Sequence, residues 1–267
     1  MRTVRLGQFN LLNSLQSEER FGAIAEAVRE SGIDILAVQE LIDVELFTRL
    51  MDEIGLTHRK LTRYRVPGKD DYSGVYSRYP LSDSELDEAM AEHSITLARV
   101  STPQGDIALF SAHFPWGSHS EPARTRTAEA VEAAAAKLPS EELLSTVLSG
   151  DLNADPEARS IRFLSGKEVS LDGERGALWT DAWAVAGSEE NRITSDHSSN
   201  EFGKRTARGV GIALTEFLPP RRIDYIFTRG WTYGRIGGAV DFGRITHSSG
   251  VELSDHEGIW ADILVEL

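Results

Sequence analysis

The sequence predicts an α/β fold in which packed β-sheets are flanked by helices. Apolar runs of strand length recur through both halves of the 267-residue chain, and segments with helical spacing of apolar residues follow several of them. Each half also contains a β-rich stretch. Strands and helices in this arrangement pack as sheets with helices on their outer faces.

The first half predicts two strand–helix pairs followed by a β-rich stretch. Ser17 fits an N-cap with acidic first-turn residues behind it, and Gly32 ends that helix. Pro and Gly at residues 103–106 predict a turn between two strands. The predicted strands are residues 4–12, 33–38, 57–66, 74–77, 94–101 and 107–110, and the predicted helices are residues 17–29 and 44–54.

The second half is less regular in its pattern. A long Ala-rich helix with Pro near its start is predicted at residues 122–137, and another begins at Asp155-Pro156. Residues 166–220 are rich in Ser, Gly and charge, and we expect them to contain loops over one end of the sheets. The predicted strands are residues 146–148, 222–227, 231–240 and 259–265.

The composition excludes several classes of function. The chain has 42 acidic and 28 basic residues and a net charge of -14, which disfavours tight, sequence-independent binding to nucleic acid. Turnover of a polyanion stays possible, because a bound divalent cation reverses the local field. The absence of cysteine excludes disulfides, thiolate metal ligands and a cysteine nucleophile.

No Pro/Gly/Ser-rich linker or internal repeat divides the chain, so we expect one domain over residues 1–267. The N-terminal residues alternate like a strand and do not resemble a signal peptide. Because no apolar run approaches the length of a membrane span, we expect a cytoplasmic protein, and we expect it to be a monomer.

The most informative segment follows the predicted strand at residues 146–148. Asp151 and Asn153 emerge there two residues apart, and side chains at i and i+2 of an extended chain point to the same side. A carboxylate can bind a metal or accept a proton from water, and an amide can both donate and accept. Because Asp and Asn are also ordinary turn residues, this pair alone leaves the turn interpretation open.

Polar residues also stand at the ends of other predicted strands, and they favour a functional site over an ordinary turn. Charged groups buried together are costly without a metal or partners, so we expect one site at one edge of the sheets. The oxygen donors among them suit Mg²⁺ or Mn²⁺, and no His and Cys cluster has zinc spacing. The residues concerned are Asn10, Glu40, His113, Asp224, Asp255 and His256.

In this order, seven segments resemble the successive motifs of the endonuclease/exonuclease/phosphatase superfamily, which includes DNase I. They are residues 9–12 (FNLL), 38–40 (VQE), 74–81 (GVYSRYPL), 111–114 (SAHF), 149–153 (SGDLN), 222–226 (RIDYI) and 254–256 (SDH). The resemblance covers nearly the whole chain. It implies a four-layer α/β/β/α sandwich, with two central mixed β-sheets, outer helices and the site at one end.

The resemblance also implies a metal centre. Glu40 is expected to be the principal ligand of Mg²⁺, with Mn²⁺ as the alternative ion. Asn10 and Asp255 are expected to complete the ligand set. Mg²⁺ characteristically takes one or two carboxylates and leaves positions for substrate phosphate oxygens.

The remaining roles implied by the resemblance concern the reaction. Asp151 is expected to orient or deprotonate the attacking water, and Asn153 to hold the nucleophile or the phosphate. His113 and His256 are expected to contact phosphate oxygens. Asp224 is expected to accept a hydrogen bond from His256 and to favour its protonated form.

Support for His113 is the point at which this chain departs from the DNase-type pattern. The carboxylate that would support this histidine has no clear counterpart between Glu40 and Gly74. Tyr64 or Tyr72 is the candidate replacement, and Tyr72 is also a candidate substrate-binding residue.

Three further features allow two interpretations each. Arg124 either reaches a phosphate or forms ion pairs at the start of its helix. His197 lies in a second Ser-Asp-His, which no strand precedes, so we interpret it as a loop residue near the substrate at most. A basic cluster either forms a solvated face or guides a phosphorylated substrate; it consists of Arg59, Lys60, Arg63 and Arg65.

Together these features predict a Mg²⁺-dependent phosphohydrolase, in the first place a phosphodiesterase whose water is activated by Asp151. The chain has no Gly-x-Ser-x-Gly elbow, Walker A motif or dinucleotide fingerprint. The first alternative is an endonuclease or exonuclease acting on DNA, and the second is a binding module without catalysis. A small phosphorylated molecule, a lipid headgroup and a nucleic acid all stay open as substrates.

Overall fold

The computed structural model of the chain describes residues 1–14, 16–66 and 69–267, and for residues 65, 66 and 69 the backbone alone. The strands are β1 (Arg2–Asn10), β2 (Ile35–Leu41), β3 (His58–Val66), β4 (Lys69–Ser77), β5 (Leu81–Ser82), β6 (Ile95–Thr102), β7 (Gly105–His113), β8 (Leu143–Asp151), β9 (Trp179–Asp181), β10 (Asp224–Arg229), β11 (Ala239–Ile245) and β12 (Gly258–Glu266). The helices are α1 (Glu18–Glu30), α2 (Val44–Glu53), α3 (Asp87–Ala91), α4 (Glu121–Ala135), α5 (Arg159–Leu164), α6 (Ala182–Ala186) and α7 (Glu201–Gly209).

The strands form two six-stranded mixed sheets. The first has the order β11-β12-β1-β2-β4-β3, and the second has the order β5-β6-β7-β8-β10-β9. β1 and β2 pair in parallel in the first sheet, as do β7 and β8 in the second, whereas the other paired strands run antiparallel. Parallel neighbours need a crossover, and helices α1 and α4 lie in these two connections.

Three apolar clusters define four layers. The cluster shared by both sheets is aliphatic and includes Leu6 and Ile35 from the first sheet and Leu109 and Ile226 from the second. A second cluster joins the first sheet to α1 and α2, and a third joins the second sheet to α4 and α5. The predicted four-layer sandwich of two central sheets and outer helices is confirmed.

Strand alternation determines where polar groups enter the layer between the sheets. In β1, Leu6 belongs to the interlayer core and Phe9 to the outer core, so Gln8 and Asn10 continue the interlayer row. In β7, β8 and β10 the interlayer rows likewise change from aliphatic to polar side chains toward one edge. The site therefore lies where the interlayer space opens at that edge.

Two sequence predictions of local structure were wrong, and one region was incompletely predicted. Residues 231–238 form turns in place of a strand, with Gly234 and Gly237 at positive φ, and β11 begins only at Ala239. The helix expected from Asp155-Pro156 begins later, at Arg159. Residues 166–220 contain the expected loops and, in addition, β9, α6 and α7. The sequence did not predict these elements, because elements this short derive their stability from packing and leave little local signal.

Among the described residues, no helix has both the length and the apolar character needed to cross a membrane.

Candidate active site

Three polar side chains lie side by side on neighbouring strands of the second sheet. Asp151 at the end of β8 is the register partner of His113 on β7 and of Asp224 on β10. Asp151 and Asp224 are almost fully buried. Strand pairing alone thus aligns these three residues, which lie far apart in the sequence.

Glu40 enters the same space through an irregularity in β2. Alternation along β2 places Gln39 in the interlayer row and would turn Glu40 to the other face. Instead, Glu40 has φ +58°, and the register between β2 and β4 shifts between Val38 and Leu41. A bulge of this kind redirects a side chain, and left-handed backbone at a residue other than glycine is concentrated at functional sites.

Asn10 connects the two sheets at this point. Its amide nitrogen donates to Glu40 Oε1 at 3.1 Å and to Asp151 Oδ2 at 3.0 Å. Its amide oxygen accepts from the backbone N–H of Leu12 at 3.0 Å. The structure therefore places Asn10 beside the predicted metal centre, with the nitrogen and not the oxygen facing the two carboxylates.

The donor set of this cluster fits a divalent cation. Ligand atoms of Glu40, His113 and Asp151 lie within 4.8 Å of one another, and those of Asp151, Asp224 and His256 form a second such group. Two carboxylates this close repel each other unless positive charge lies between them, and carboxylate oxygens are the preferred ligands of Mg²⁺. Glu40 and Asp151 therefore offer the setting that a hard cation needs.

Asp255 does not join either group. Its carboxylate accepts from Thr206 Oγ1 of α7 at 3.0 Å and from Ser254 Oγ at 3.3 Å. Of the three metal ligands expected from the resemblance, the structure brings Glu40 and Asn10 together and turns Asp255 toward α7. The physical reason is that α7, which the sequence did not reveal, packs against this segment and offers Asp255 a hydroxyl partner.

His256 is held by Asp224 at the buried side of the site. Its Nδ1 lies 2.9 Å from Asp224 Oδ2, and its Nε2 lies 3.8 Å from Asp151 Oδ2. Burial disfavours the imidazolium, but the carboxylates of Asp224 and Asp151 outweigh it and hold the pKa of His256 well above its usual range. His256 is therefore a cationic donor whose Nε2 faces the site.

Asp224 is fixed in turn by polar partners behind it. The backbone N–H groups of Ile223 and Asp224 donate to Thr194 Oγ1 at 3.0 and 3.1 Å. Gln8 Nε2 donates to Asp224 Oδ1 at 3.0 Å. No sequence pattern indicates Thr194, because its role depends on a loop that returns to β10 only in the folded chain.

His113 lies on the other side of Asp151. Its Nε2 is 3.7 Å from Glu40 Oε1 and 3.6 Å from Asp151 Oδ2. Its Nδ1 is 2.9 Å from the hydroxyl of Tyr64. Of the two tyrosines considered from the sequence, Tyr64 is thus the one that contacts His113, whereas Tyr72 packs against the outer core of the first sheet.

Asp71 is a site residue that the sequence reasoning missed. It is fully buried, is the register partner of Tyr64, and accepts from Asn13 Nδ2 at 2.8 Å. Burial raises the pKa of its carboxyl group. Alternation along β4 could have identified Asp71, because Asp71 and Ser73 continue the interlayer row of Val75. The polar character of this stretch concealed the strand.

Asp151 and Asn153 come together through a turn. Asn153 has φ +50°; its N–H donates to Asp151 Oδ1 at 2.9 Å, and its amide nitrogen contacts Asp151 Oδ2 at 3.2 Å and donates to Phe114 O at 3.1 Å. Burial and the nearby Asp224 raise the pKa of Asp151, while His256 and His113 oppose this rise. The expected proximity is present, but an Asx-type turn and not an extended strand produces it.

Arg124 is not brought to the site. It is buried, and its guanidinium donates to Glu121 Oε2 at 2.8 Å and to the carbonyl oxygens of Pro115 and Gly117 at 2.9 and 3.1 Å. These contacts fix the loop that follows β7. The guanidinium of Arg124 therefore has a structural role here in place of the predicted substrate contact. Its partners are Glu121 at the helix start and two carbonyl oxygens of the preceding loop.

The basic cluster is paired with local acids. Lys60 contacts Asp87 at 2.5 Å and Asp83 at 3.2 Å, Arg63 contacts Asp70 at 2.6 Å, and Arg59 is 3.9 Å from Asp52. The side chain of Arg65 lies outside the described part of the chain. Of the two interpretations, the contacts favour a solvated, ion-paired face.

His197 lies between α7 and the segment that contains Asp255 and His256. A Cβ on Gly203 of α7 would lie 2.7 Å from its Cδ2, so helix and ring are in close contact. Burial lowers the pKa of His197. The negative charge of Asp255 opposes this shift, and the positive charge of His256 adds to it. The histidine of the second Ser-Asp-His thus packs against α7.

Comparisons with known proteins agree with this geometry. The model of the Endonuclease/Exonuclease/phosphatase family matches residues 7–256. No curated protein gives a significant sequence match.

Solved structures share the fold at low sequence identity. TDP2 of D. rerio, in a structure complexed with single strand DNA product, has a TM-score of 0.70 and 17% identity, with 98% of this chain and 99% of that chain covered. A family protein from Bacteroides vulgatus has a TM-score of 0.69 and 15% identity, with 100% of both chains covered. The human Nocturnin catalytic domain, with bound sulfate anion, has a TM-score of 0.60 and 14% identity, with 97% and 93% covered.

Proposed function

Because this chain belongs to the endonuclease/exonuclease/phosphatase family, and is thereby a metal-dependent phosphoric ester hydrolase, we propose that it is a phosphodiesterase that uses Mg²⁺. One observation carries the proposal. The carboxylate of Asp151 lies between the Nε2 atoms of His113 and His256, at 3.6 and 3.8 Å, and shares the amide of Asn10 with Glu40. A water activated there has an imidazole Nε2 on either side for the phosphate that it attacks.

Glu40 is the principal ligand in this proposal, with Asn10 beside it and Mn²⁺ as the alternative ion. When bound, the ion neutralises charge on the phosphoryl and leaving oxygens. Asp255 is left out of the proposed ligand set, because its carboxylate is engaged by Thr206 and Ser254.

The protein side chains perform the remaining steps. Asp151 accepts the proton of the attacking water, and its raised pKa makes it a stronger base than an exposed aspartate. His256, kept protonated by Asp224, donates from Nε2 to a phosphate oxygen. Asn153 holds the Asp151 carboxylate through its N–H and amide groups.

The substrate class is the finer part of the proposal. The structure of D. rerio TDP2 with single strand DNA product supports DNA as the alternative substrate. The net charge of -14 favours a small phosphodiester or a lipid headgroup instead. A binding module without catalysis is the third candidate, and the assembled His113, Asp151 and His256 speak against it.

We also propose that residues 1–267 form one catalytic domain, which the family match over residues 7–256 supports. The cytoplasmic location and the monomeric state stay predictions.

Two variants test the proposed reaction. Glu40→Gln removes the principal ligand charge, and Asp151→Asn removes the base while keeping its shape. Each is expected to lower the rate of Mg²⁺-dependent hydrolysis by about 10²- to 10⁴-fold with an unchanged circular dichroism spectrum. The measurement is turnover of bis(p-nitrophenyl) phosphate, followed by a panel of abasic DNA, plain DNA, sphingomyelin, inositol phosphates and nucleotide diesters.

Asp52→Asn is the matched control, because Asp52 is an exposed carboxylate on α2 with a single 3.9 Å ion pair. It is expected to keep full activity. Wild-type activity in Glu40→Gln or in Asp151→Asn would sink the proposal. Tight binding of a phosphate ester without turnover of any panel member would favour the binding module.

A further inference from the structure

His113 is held from behind by a tyrosine. The Tyr64 hydroxyl lies 2.9 Å from Nδ1, and the two rings meet edge to face with centroids 6.0 Å apart. The opposite nitrogen, Nε2, faces Glu40 and Asp151. The ring therefore has one nitrogen committed to Tyr64 and one directed into the site.

Tyr64 has Asp71 as its neighbour across the sheet. The two residues are register partners on β3 and β4, so their side chains share the interlayer face and the negative charge of Asp71 lies near the phenol. Asp71 accepts from Asn13 Nδ2 and from the N–H of Tyr72, both at 2.8 Å. Asn13 continues the network to the metal side, since its backbone N–H donates to Glu40 Oε2 at 2.9 Å.

The charge of Asp71 determines the preferred direction of one proton. Both oxygens of Asp71 accept from N–H donors, as an ionised carboxylate does, so the O–H of its register partner Tyr64 is expected to turn toward Asp71 and away from His113. The phenol oxygen is then free to accept from Nδ1–H of His113, 2.9 Å away. Burial beside Asp71 raises the pKa of Tyr64, so the phenol stays protonated.

We propose that Tyr64 is a positioning residue that acts through His113: by accepting from Nδ1–H it directs Nε2 into the space between Glu40 and Asp151, where Nε2, once protonated, donates to a phosphate oxygen. The proposal rests on the proposed phosphodiesterase function. In this chain a neutral phenol separates the carboxylate of Asp71 from the imidazole. Nδ1 is thereby held by a neutral group, while the carboxylates of Glu40 and Asp151 face Nε2.

Steady-state kinetics test the role of the hydroxyl. Tyr64→Phe removes only the Oη atom, and we expect kcat to fall by about 10- to 100-fold, because misdirected catalytic groups cost rate, while KM changes less than about twofold. Tyr76→Phe is the matched control: Tyr76 is a buried tyrosine of the same sheet whose hydroxyl bonds Thr48 Oγ1 at 3.0 Å. It is expected to keep the wild-type kcat.

A double-mutant comparison separates positioning from general destabilisation. If Tyr64 acts through His113, then Tyr64→Phe has no further effect on kcat in a His113→Ala background. A second loss of similar size in that background would overturn the proposal. So would equal kcat values for Tyr64→Phe and Tyr76→Phe.

Imidazole ¹⁵N spectra of the metal-free protein at alkaline pH give a readout that does not need activity. The His113 signal, assigned by its absence in His113→Ala, is expected to show the Nδ1–H tautomer in the wild type and to lose it in Tyr64→Phe. An Nε2–H tautomer in the wild type would overturn the positioning role. An inactive wild-type enzyme would contradict the proposed function. In that case the ¹⁵N spectra would still test whether Tyr64 positions His113.

Discussion

Glu40 shows how much of this site depends on single backbone conformations. Its left-handed φ of +58° turns a side chain that alternation would place against the outer core into the space between the sheets. Asn153 also has left-handed backbone, with φ +50°, and this conformation places its amide beside Asp151. Non-glycine residues have a conformational cost of about 1 kcal/mol or more in this region, which the surrounding structure must offset.

His256 carries the pH dependence at the residue scale. Its pKa is raised in the folded chain, so its protonation stabilises the fold. This contribution is fully present below the unfolded histidine pKa of about 6.5 and is lost as the pH rises through the folded value; each tenfold gain in proton affinity on folding corresponds to about 1.4 kcal/mol. Urea denaturation in EDTA should show His256→Gln less stable than wild type near neutral pH, with the difference shrinking as the solution becomes alkaline.

His58→Gln is the control for this measurement, because His58 is exposed at the start of β3. Its difference from wild type is expected to be small at every pH. A stability difference for His256→Gln that grows with rising pH would contradict the stabilising role of the imidazolium.

At the scale of elements, the close approach of β7 and β8 aligns the second-sheet residues. Gly150 is the register partner of Ala112, and His113 and Asp151 follow directly. A Cβ on Gly150 would lie 1.9 Å from the carbonyl oxygen of Ala112, which is rigid backbone. The absence of a side chain at this position therefore sets the distance between the two strand ends that carry His113 and Asp151.

Gly150→Ala is accordingly expected to lower the free energy of unfolding by about 3 kcal/mol, because one of the paired strands must move. Activity is expected to fall further than stability alone explains, since His113 and Asp151 move with the strand ends. Gly22→Ala in α1, where a new Cβ would meet nothing within 4 Å, should instead stabilise the protein by about 0.5–1 kcal/mol. Urea denaturation measures both; equal stabilities of the two variants would refute the steric account.

For the whole molecule, a buried polar network joins the two sheets behind the site. Gln8 Nε2 donates to Gln39 Oε1 at 2.7 Å within the first sheet and to Asp224 of the second. Gln39 Nε2 donates to Ser111 Oγ at 3.2 Å, which also crosses between the sheets. These bonds fix the separation of the sheet edges, and hence the separation of Glu40 from Asp151.

The charge of the whole molecule provides a test of the substrate class. At low ionic strength the net charge of -14 repels a polyanion over a screening length of about 30 Å, which falls to about 10 Å at 0.1 M salt. At fixed Mg²⁺, kcat/KM for a single-stranded oligonucleotide is therefore expected to rise about 2- to 10-fold between roughly 10 and 100 mM NaCl. Hydrolysis of bis(p-nitrophenyl) phosphate, a small monoanion, should change little; a steep fall for the oligonucleotide would indicate a local cationic groove.

The sequence by itself determined the layered fold, the order of most strands along the chain and the polar residues at their ends. These follow from local properties, namely periodicity along each segment and the type of residue that ends it. Glu40, His113, Asp151, Asp224 and His256 could be selected in this way, although their distances could not.

Only the tertiary structure decided which of the selected groups meet. The bulge at Glu40 and the turn of Asp255 toward α7 depend on strand register and on a helix that has little local signal. The contact between Tyr64 and His113 joins two different sheets across 49 positions of sequence. Such contacts are properties of packing between distant segments, so no pattern within either segment records them.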